Sequence, residues 1–506
     1  MSERARSVPR PETEDERSWR WTLWVLFAIT GARLAWLALD RTDLYPDEAQ
    51  YWFWAQTPDW GYFSKPPLVA WIIALTTGLL GDSAPAVRIA APLLHFGAGL
   101  LVYRSARLLY DPRTAFWSAV VYETLPGVFF SAAIMSTDAP LLLFWSAALY
   151  AFLRARAEGD RKWWFMVGAA IGFGLLAKFA MAYWLLSALI FLVLFRGERR
   201  HLPYLVGAAA LALLIYSPNL WWNYAHGFAS YHATASNAGL RGPLFHPDHL
   251  RDFFLAQFGV FGPLLFGTLI AVFTLALARR TFEDRRAALL GCFILPILLP
   301  ILALSLISHA EPNWAAPAYV AASILVTAWL LPRGREILIH ASVALHVAAA
   351  ILIGIGVRNI AHAVGIDLPA RYDPLHRLQG WRRLGMAVAT LLRQNPGVIL
   401  MADDRELMAA LLFYVAPHPT RFLKWNGEGG VSDQFDLTAN PGLYIGDDFL
   451  LVAHNPANIQ RIFSRFIEVG PPQTITIFIG PSGATRKPDD VRRYEVYLLK
   501  GFKGYR

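Results

Sequence analysis

Two adjacent carboxylates, Asp47 and Glu48, stand in the aromatic stretch Tyr45-Pro-Asp-Glu-Ala-Gln-Tyr-Trp-Phe-Trp54. Shortly after it, Trp60-Gly-Tyr-Phe-Ser-Lys-Pro-Pro67 adds Lys65. Carboxylates at the edge of apolar segments are costly to desolvate, which favours a functional role. One of them can act as a general base toward an acceptor group, or orient it. Pro46 before two acids is equally an ordinary helix start. Lys65 reads either as an interfacial lysine reaching for water or as a cation that pairs with Asp47 or binds phosphate. The double proline fixes the backbone just after it.

Further polar groups punctuate the apolar runs. Asp138, in Met135-Ser-Thr-Asp-Ala-Pro140, is placed to cap a helix and keep one oxygen free. Lys178, in Leu176-Ala-Lys-Phe179, ends another run. A cation there would offset charge developing on a phosphate leaving group. Glu311-Pro-Asn-Trp314 sets an acid, the Asn313 amide and the Trp314 indole at one helix start, where capping and an aromatic belt also account for them. Residues 223–253 carry His226, Tyr231, His232, Asn237, Arg241, His246, Asp248 and His249. Histidine with aspartate is a metal-ligand combination. No tight ligand spacing is present, and solvated or substrate-access residues describe the loop as well.

The elements that must position these groups follow from composition. Of 506 residues, 56% are hydrophobic and 16% charged, against roughly 25% charged in soluble domains. Apolar runs recur, which points to a polytopic α-helical membrane protein of about eleven spans. They fall near 21–39, 85–107, 114–131, 138–154, 163–179, 181–196, 202–222, 254–278, 287–307, 314–331 and 337–356. Arginine clusters occupy the N-terminal tail (1–20) and the loop after every even-numbered span, so the tail is expected in the cytoplasm and the C-terminal segment outside. The net charge of +9 is then a topology signal and not a nucleic-acid footprint. The apolar run after the tail lacks a small-residue cleavage site and reads as a retained helix. Cys292 is the only cysteine, which excludes an intrachain disulfide.

Residues 40–84 form a first long outer loop with interfacial helices near 47–56 and 67–80. Residues 223–253 form a second. From 357 to 506 the composition changes: buried strands are expected at 398–402 and 474–479, a helix at 406–414 and a last strand at 491–500, giving a small α/β domain. Under this topology the acids, the amides, Lys65 and Lys178 gather on the outer side, as in one outward-facing polar cavity. The absence of an obvious internal repeat weighs against a transporter, and no phosphate-cradling glycine motif is evident.

On Tyr45-Pro-Asp47-Glu48, Tyr62-Phe-Ser-Lys65-Pro and Ser136-Thr-Asp138-Ala-Pro140, with Lys178 and Glu311-Pro-Asn-Trp314 at their helix ends, the chain resembles glycosyltransferase family 39. That GT-C fold group includes bacterial aminoarabinose and galacturonosyl transferases of lipid A and the protein O-mannosyltransferases. The resemblance implies an inverting transfer of a sugar from a polyprenyl-phosphate donor to a lipid A or envelope-glycan acceptor. The reaction would occur on the periplasmic face of the inner membrane, among membrane lipids and without nucleic acid. Asp47 would be the essential first-loop acid, with Glu48 and Asp138 as further catalytic acids. Lys65, Lys178, Tyr62, His232, Asn313 and Trp314 would bind substrate. No cofactor is fixed, and a divalent metal stays open. Aminoarabinose transferases usually carry Phe-Glu-Lys-Pro and Asp-Glu-x-Arg; here Ser64 and Gln50 stand at those positions. A neutral or acidic sugar such as a hexose, mannose or galacturonic acid fits as well as aminoarabinose. The alternatives are a protein O-mannosyltransferase-like enzyme, a lipid-linked sugar flippase or a non-catalytic scaffold.

Overall fold

The computed structural model describes residues 13–237, 239, 245–282, 284–427, 429–480 and 487–505. Helix α1 (Glu14–Leu39) begins with Thr13 and Glu16 in a reciprocal capping box. Every expected span is helical, but the helices differ in kind. Among the described residues six are long and apolar enough to cross a membrane: Glu14–Leu39, Ala84–Leu109, Arg196–Ala225, Arg285–Ile307, Pro312–Arg333 and Glu336–Ile355.

The expected span at 254–278 is not one straight helix. Pro247–Val260 and Pro263–Ala278 meet at 115°. Gly262 makes the corner at φ +88°, where a Cβ would collide with the His346 ring, and Pro263 opens the second helix. The expected span at 114–131 breaks into Pro112–Thr124 and Pro126–Ala133. Asp138–Glu158, Arg161–Ala177 and Ala182–Leu194 take the places of the other three. These helices pack inward, with Trp145, Phe152 and Trp184 fully buried in one continuous core.

The first long loop folds as α2 (Pro46–Ala55) and α3 (Leu68–Leu80). The expectation that α2 lies on the membrane with its aromatics in an interfacial belt is corrected here. Tyr51, Trp52 and Trp54 are buried: Phe413 of the C-terminal domain packs on Trp52, and Trp54 lies against Tyr51 and Tyr62 within the first loop. That domain holds a six-stranded sheet: β1 (Ile399–Ala402), β2 (Phe422–Lys424), β3 (Phe449–Ala453), β4 (Phe466–Val469), β5 (Gln473–Phe478) and β6 (Val491–Phe502). Its order is β2-β1-β3-β6-β4, with β5 also on β6. The β1 strand runs parallel to β2 and β3, in register Leu400↔Leu450; β6 runs antiparallel to β3, β4 and β5. Strands β1 and β3 are buried throughout, as befits the parallel centre of the sheet. The stretch at 474–479 is a strand buried on one face only: Ile477 and Ile479 lie in the core, whereas Thr474 and Thr476 are exposed.

The helix Arg405–Tyr414 packs on α2. Phe413 meets Trp52 edge-on at 5.0 Å, and Tyr414 Oη accepts the Leu44 N–H at 2.6 Å. The α2 and α3 side chains and those of the C-terminal domain therefore share one hydrophobic cluster. Burial of this joint apolar surface holds the domain against the first loop.

Candidate active site

Helix α2 starts as its sequence dictates. Pro46 occupies the first turn, and Glu48 reaches back to accept the Tyr45 N–H at 2.9 Å. The two adjacent acids then part. Glu48 turns inward and is 1% exposed. Its carboxylate takes Arg88 Nη2 at 2.7 Å and Nε at 2.9 Å, and the Met135 N–H at 2.9 Å. Arg88 also reaches Asp40 at 3.1 Å and the Asp43 carbonyl at 2.8 Å. Both charges are thus satisfied within the protein, as burial requires.

Asp47 turns the other way, into a cavity of about 1320 Å3. The cavity lies between the first loop, the short helix Ala229–Asn237 and the C-terminal domain, and Gln50, Tyr51, Lys65, His232 and Arg405 line it with Asp47. Arg405 Nη1 donates to Asp47 Oδ1 at 2.8 Å and also to the side-chain amide oxygen of Gln50. Asp47 Oδ2 has no hydrogen-bond partner among the described residues and faces the open space.

The Lys65 ammonium makes no hydrogen bond or ion pair among the described residues, and Lys65 lines the same cavity. Burial lowers its pKa below the ordinary lysine value, and the positive charge of Lys178 adds to this; Asp47 and Asp138 act the other way. An unpaired, partly desolvated ammonium beside a carboxylate is a seat for an anionic group.

The loop carrying Lys65 is pinned from three sides. Asn219 and Trp222 donate to Trp60 O and to Asp59 Oδ2, both at 2.7 Å. Ser230 Oγ donates to Tyr62 O at 2.6 Å. Gln434 of the C-terminal domain accepts the Phe63 N–H at 2.7 Å. Gly61 permits this approach, since a Cβ there would lie 2.5 Å from the Trp222 ring. Tyr62 itself is buried, stacked on Trp54 at 4.7 Å, with its hydroxyl on Trp54 O. It shapes the loop and does not line the cavity.

Asp138 does not keep a free oxygen. Thr137 takes the N-cap position, and the Asp138 carboxylate accepts from Lys178 Nζ and Asn313 Nδ2, each at 2.7 Å. Three helix ends meet on this one side chain. Lys178 is accordingly paired, whereas Lys65 is not. Trp314 packs against the membrane core and stands apart from the cavity.

A family model described as dolichyl-phosphate-mannose-protein mannosyltransferase matches residues 64–222. The lipid A galacturonosyltransferase RgtD of Rhizobium johnstonii is 32% identical over 397 residues, covering 77% of this chain and 82% of the relative. The chain belongs to glycosyltransferase family 39. An undecaprenyl phosphate-alpha-4-amino-4-deoxy-L-arabinose arabinosyl transferase of Pseudomonas aeruginosa shares 30% identity over 291 residues, 54% of this transferase and 51% of that one. ArnT from Cupriavidus metallidurans in the apo state superposes with a TM-score of 0.63 at 19% identity, covering 94% of this chain and 98% of that chain. Its form bound to undecaprenyl phosphate gives 0.61 at 18% identity, covering 94% and 97%. The GT-C fold of the transferase is thereby established, and it is a multipass membrane protein.

Two residues of this glycosyltransferase site escape a reading of its sequence. Arg88 had a signal: an arginine at the start of an apolar span, on the side expected to face outward, runs against the positive-inside rule, so it needs an acidic partner. Arg405 had none. It follows Asp404 at an ordinary helix start, 358 residues from its partner Asp47.

Proposed function

We propose that this enzyme transfers a hexuronic acid of the galacturonic type from a polyprenyl-phosphate donor to lipid A, inverting the anomeric carbon, on the periplasmic face of the inner membrane. The observation that carries the reading is the pairing of Asp47, with one oxygen open, and the unpaired Lys65 in one cavity beside the membrane. The identity to a lipid A galacturonosyltransferase supports the acceptor and the sugar. A cavity that presents Lys65 and Arg405 around Asp47 suits an acidic sugar on a phosphate.

In this reading Asp47 Oδ2 accepts the proton of the acceptor hydroxyl as its oxygen attacks the anomeric carbon. The bond from that carbon to the phosphate oxygen breaks, and polyprenyl phosphate leaves with the electron pair. Lys65 meets the phosphate, with Lys178 behind it, and offsets the negative charge that develops there. Arg405 fixes the Asp47 rotamer, and His232 lines the sugar's surroundings. Asp138 anchors Lys178 through its ion pair, and Glu48 positions α2 through Arg88; neither touches the reacting atoms. In the same reading, eleven spans with the N-terminus in the cytoplasm and the C-terminal domain outside turn the cavity toward the side where lipid A resides.

Asp47→Asn tests the assignment. Transfer of sugar to lipid A, followed by mass spectrometry of the lipid, is expected to fall to background while donor binding persists. Substantial residual transfer overturns the role of Asp47. Lipid A that gains a neutral sugar from the wild-type enzyme overturns the choice of a uronic acid.

A further inference from the structure

We propose a second site, a divalent-metal centre of the zinc class, built by His246, Asp248 and His249 with His309 beside them. One ligand atom from each of His246, Asp248 and His249 lies within 4.8 Å of the others. Tetrahedral zinc bonds of about 2.0–2.2 Å bring ligand atoms to roughly 3.3 Å apart, so small side-chain rotations complete the set. The His246 and His249 rings stack at 4.6 Å, and His249 Nε2 is 3.8 Å from Asp248 Oδ2.

The second observation is a polar atom with nothing to bond. His249 Nδ1 is buried and lacks a hydrogen-bond partner. Buried ring nitrogens are normally satisfied, and such an orphan calls for an explanation. A third imidazole, His309, meets the His249 ring edge-on at 5.6 Å. Its Nε2 is 3.4 Å from Glu311 Oε1, the carboxylate–histidine arrangement that orients metal ligands. Imidazole with carboxylate is a donor set that suits zinc and similar transition metals.

The ligands come from two chain segments already tied together, since the His246 N–H donates to the Leu306 carbonyl at 2.7 Å. The centre is distinct from the Asp47 cavity, none of whose lining residues it shares. Its consequence is positional. The segment from Ser308 to Pro312 leads directly into Asn313, which holds Asp138. A metal here clamps that segment to the start of Pro247–Val260 and so steadies the Asp138–Lys178–Asn313 knot.

The test uses full-length protein in detergent, without a histidine tag, stripped by a chelator and titrated with Zn(II) and Co(II). One metal per chain is expected, with the visible absorption of tetrahedral Co(II), and zinc is expected to raise the thermal midpoint. His249→Ala, and the exposed change Asp248→Asn, are expected to weaken binding at least tenfold and to remove the Co(II) signature. Their metal-free midpoints should match the stripped wild type, and His454→Ala should bind normally. Substoichiometric metal in the wild type overturns the proposal, as does full binding by a His246→Ala/His249→Ala variant. Equal loss of binding in His454→Ala also overturns it.

Discussion

At the scale of single residues, the cavity works through a contrast between neighbours. Asp47 and Glu48 are adjacent, yet one faces open space and the other a buried arginine. Arg405 bonds one Asp47 oxygen and leaves the other exposed, so its loss lets the carboxylate rotate. Arg405→Ala is expected to lower kcat by about 100-fold, the scale on which misplacement of a reacting group acts. Arg405→Lys should recover only part of it, because one guanidinium nitrogen, Nη1, serves both Asp47 and Gln50, and a flexible, strongly hydrated ammonium does not hold that direction as the planar group does. Steady-state kinetics of the purified variants decide both. Lys65 carries a pH prediction. Burial and Lys178 lower its pKa, so the ammonium loses its proton at lower pH than an ordinary lysine. Donor affinity should therefore fall as pH rises toward the usual lysine range. Lys65→Arg should move that fall to higher pH, measured by donor binding across pH; a profile identical to wild type would remove Lys65 from the phosphate. The sign for stability is opposite. The unfolded chain binds this proton more tightly than the folded one, so stability gains from Lys65 deprotonation as pH rises through its lowered pKa.

At the scale of elements, α2 is held at both ends of its function. Its inner face is locked by the buried Glu48–Arg88 pair, 1% and 2% exposed. Removing one partner strands the other charge, so Arg88→Ala is expected to cost about 3–5 kcal/mol. Thermal unfolding in detergent checks this, and the Arg88→Ala/Glu48→Ala double variant should lose less than the sum of the singles. The loop after α2 depends on close backbone approach. Gly61→Ala would force the Trp222 ring aside and loosen the bonds that hold residues 59–63. Transfer should decline more than stability, because the displaced loop carries Lys65.

At the scale of the whole molecule, the C-terminal domain is part of the site and not an appendage. It packs on Trp52 through Phe413, accepts from Phe63 through Gln434, and supplies Arg405. The proposed topology predicts that this domain is reachable from outside the cell. In a Cys292→Ala background, a cysteine at exposed Ser464 should react with an impermeant maleimide on intact spheroplasts, and one at Thr281 should not. Labelling of Thr281→Cys alone would invert the orientation.

Much of this was legible in the order of residues. Hydrophobic runs identify membrane helices because each must satisfy its own backbone within the apolar phase, and arginine clusters orient them. Local rules also place Pro46, Glu48 and Asp138 at helix starts. The alternation of apolar and polar residues marks strands, and Thr474, Thr476 and Ile477 follow it in β5, which is buried on one face while β1 and β3 are buried on both. What the sequence determined by itself was the class of molecule and a short list of acids and lysines at the ends of apolar segments that could do chemistry. Tertiary structure decided which of them face one another. Asp47 and Glu48 look alike along the chain, and only the positions of Arg405 and Arg88 make one available and the other structural. Lys65 and Lys178 look alike too, until Asp138 pairs with the second. Pairing energies fall steeply with distance, and distances between residues hundreds of positions apart exist only once the chain has packed.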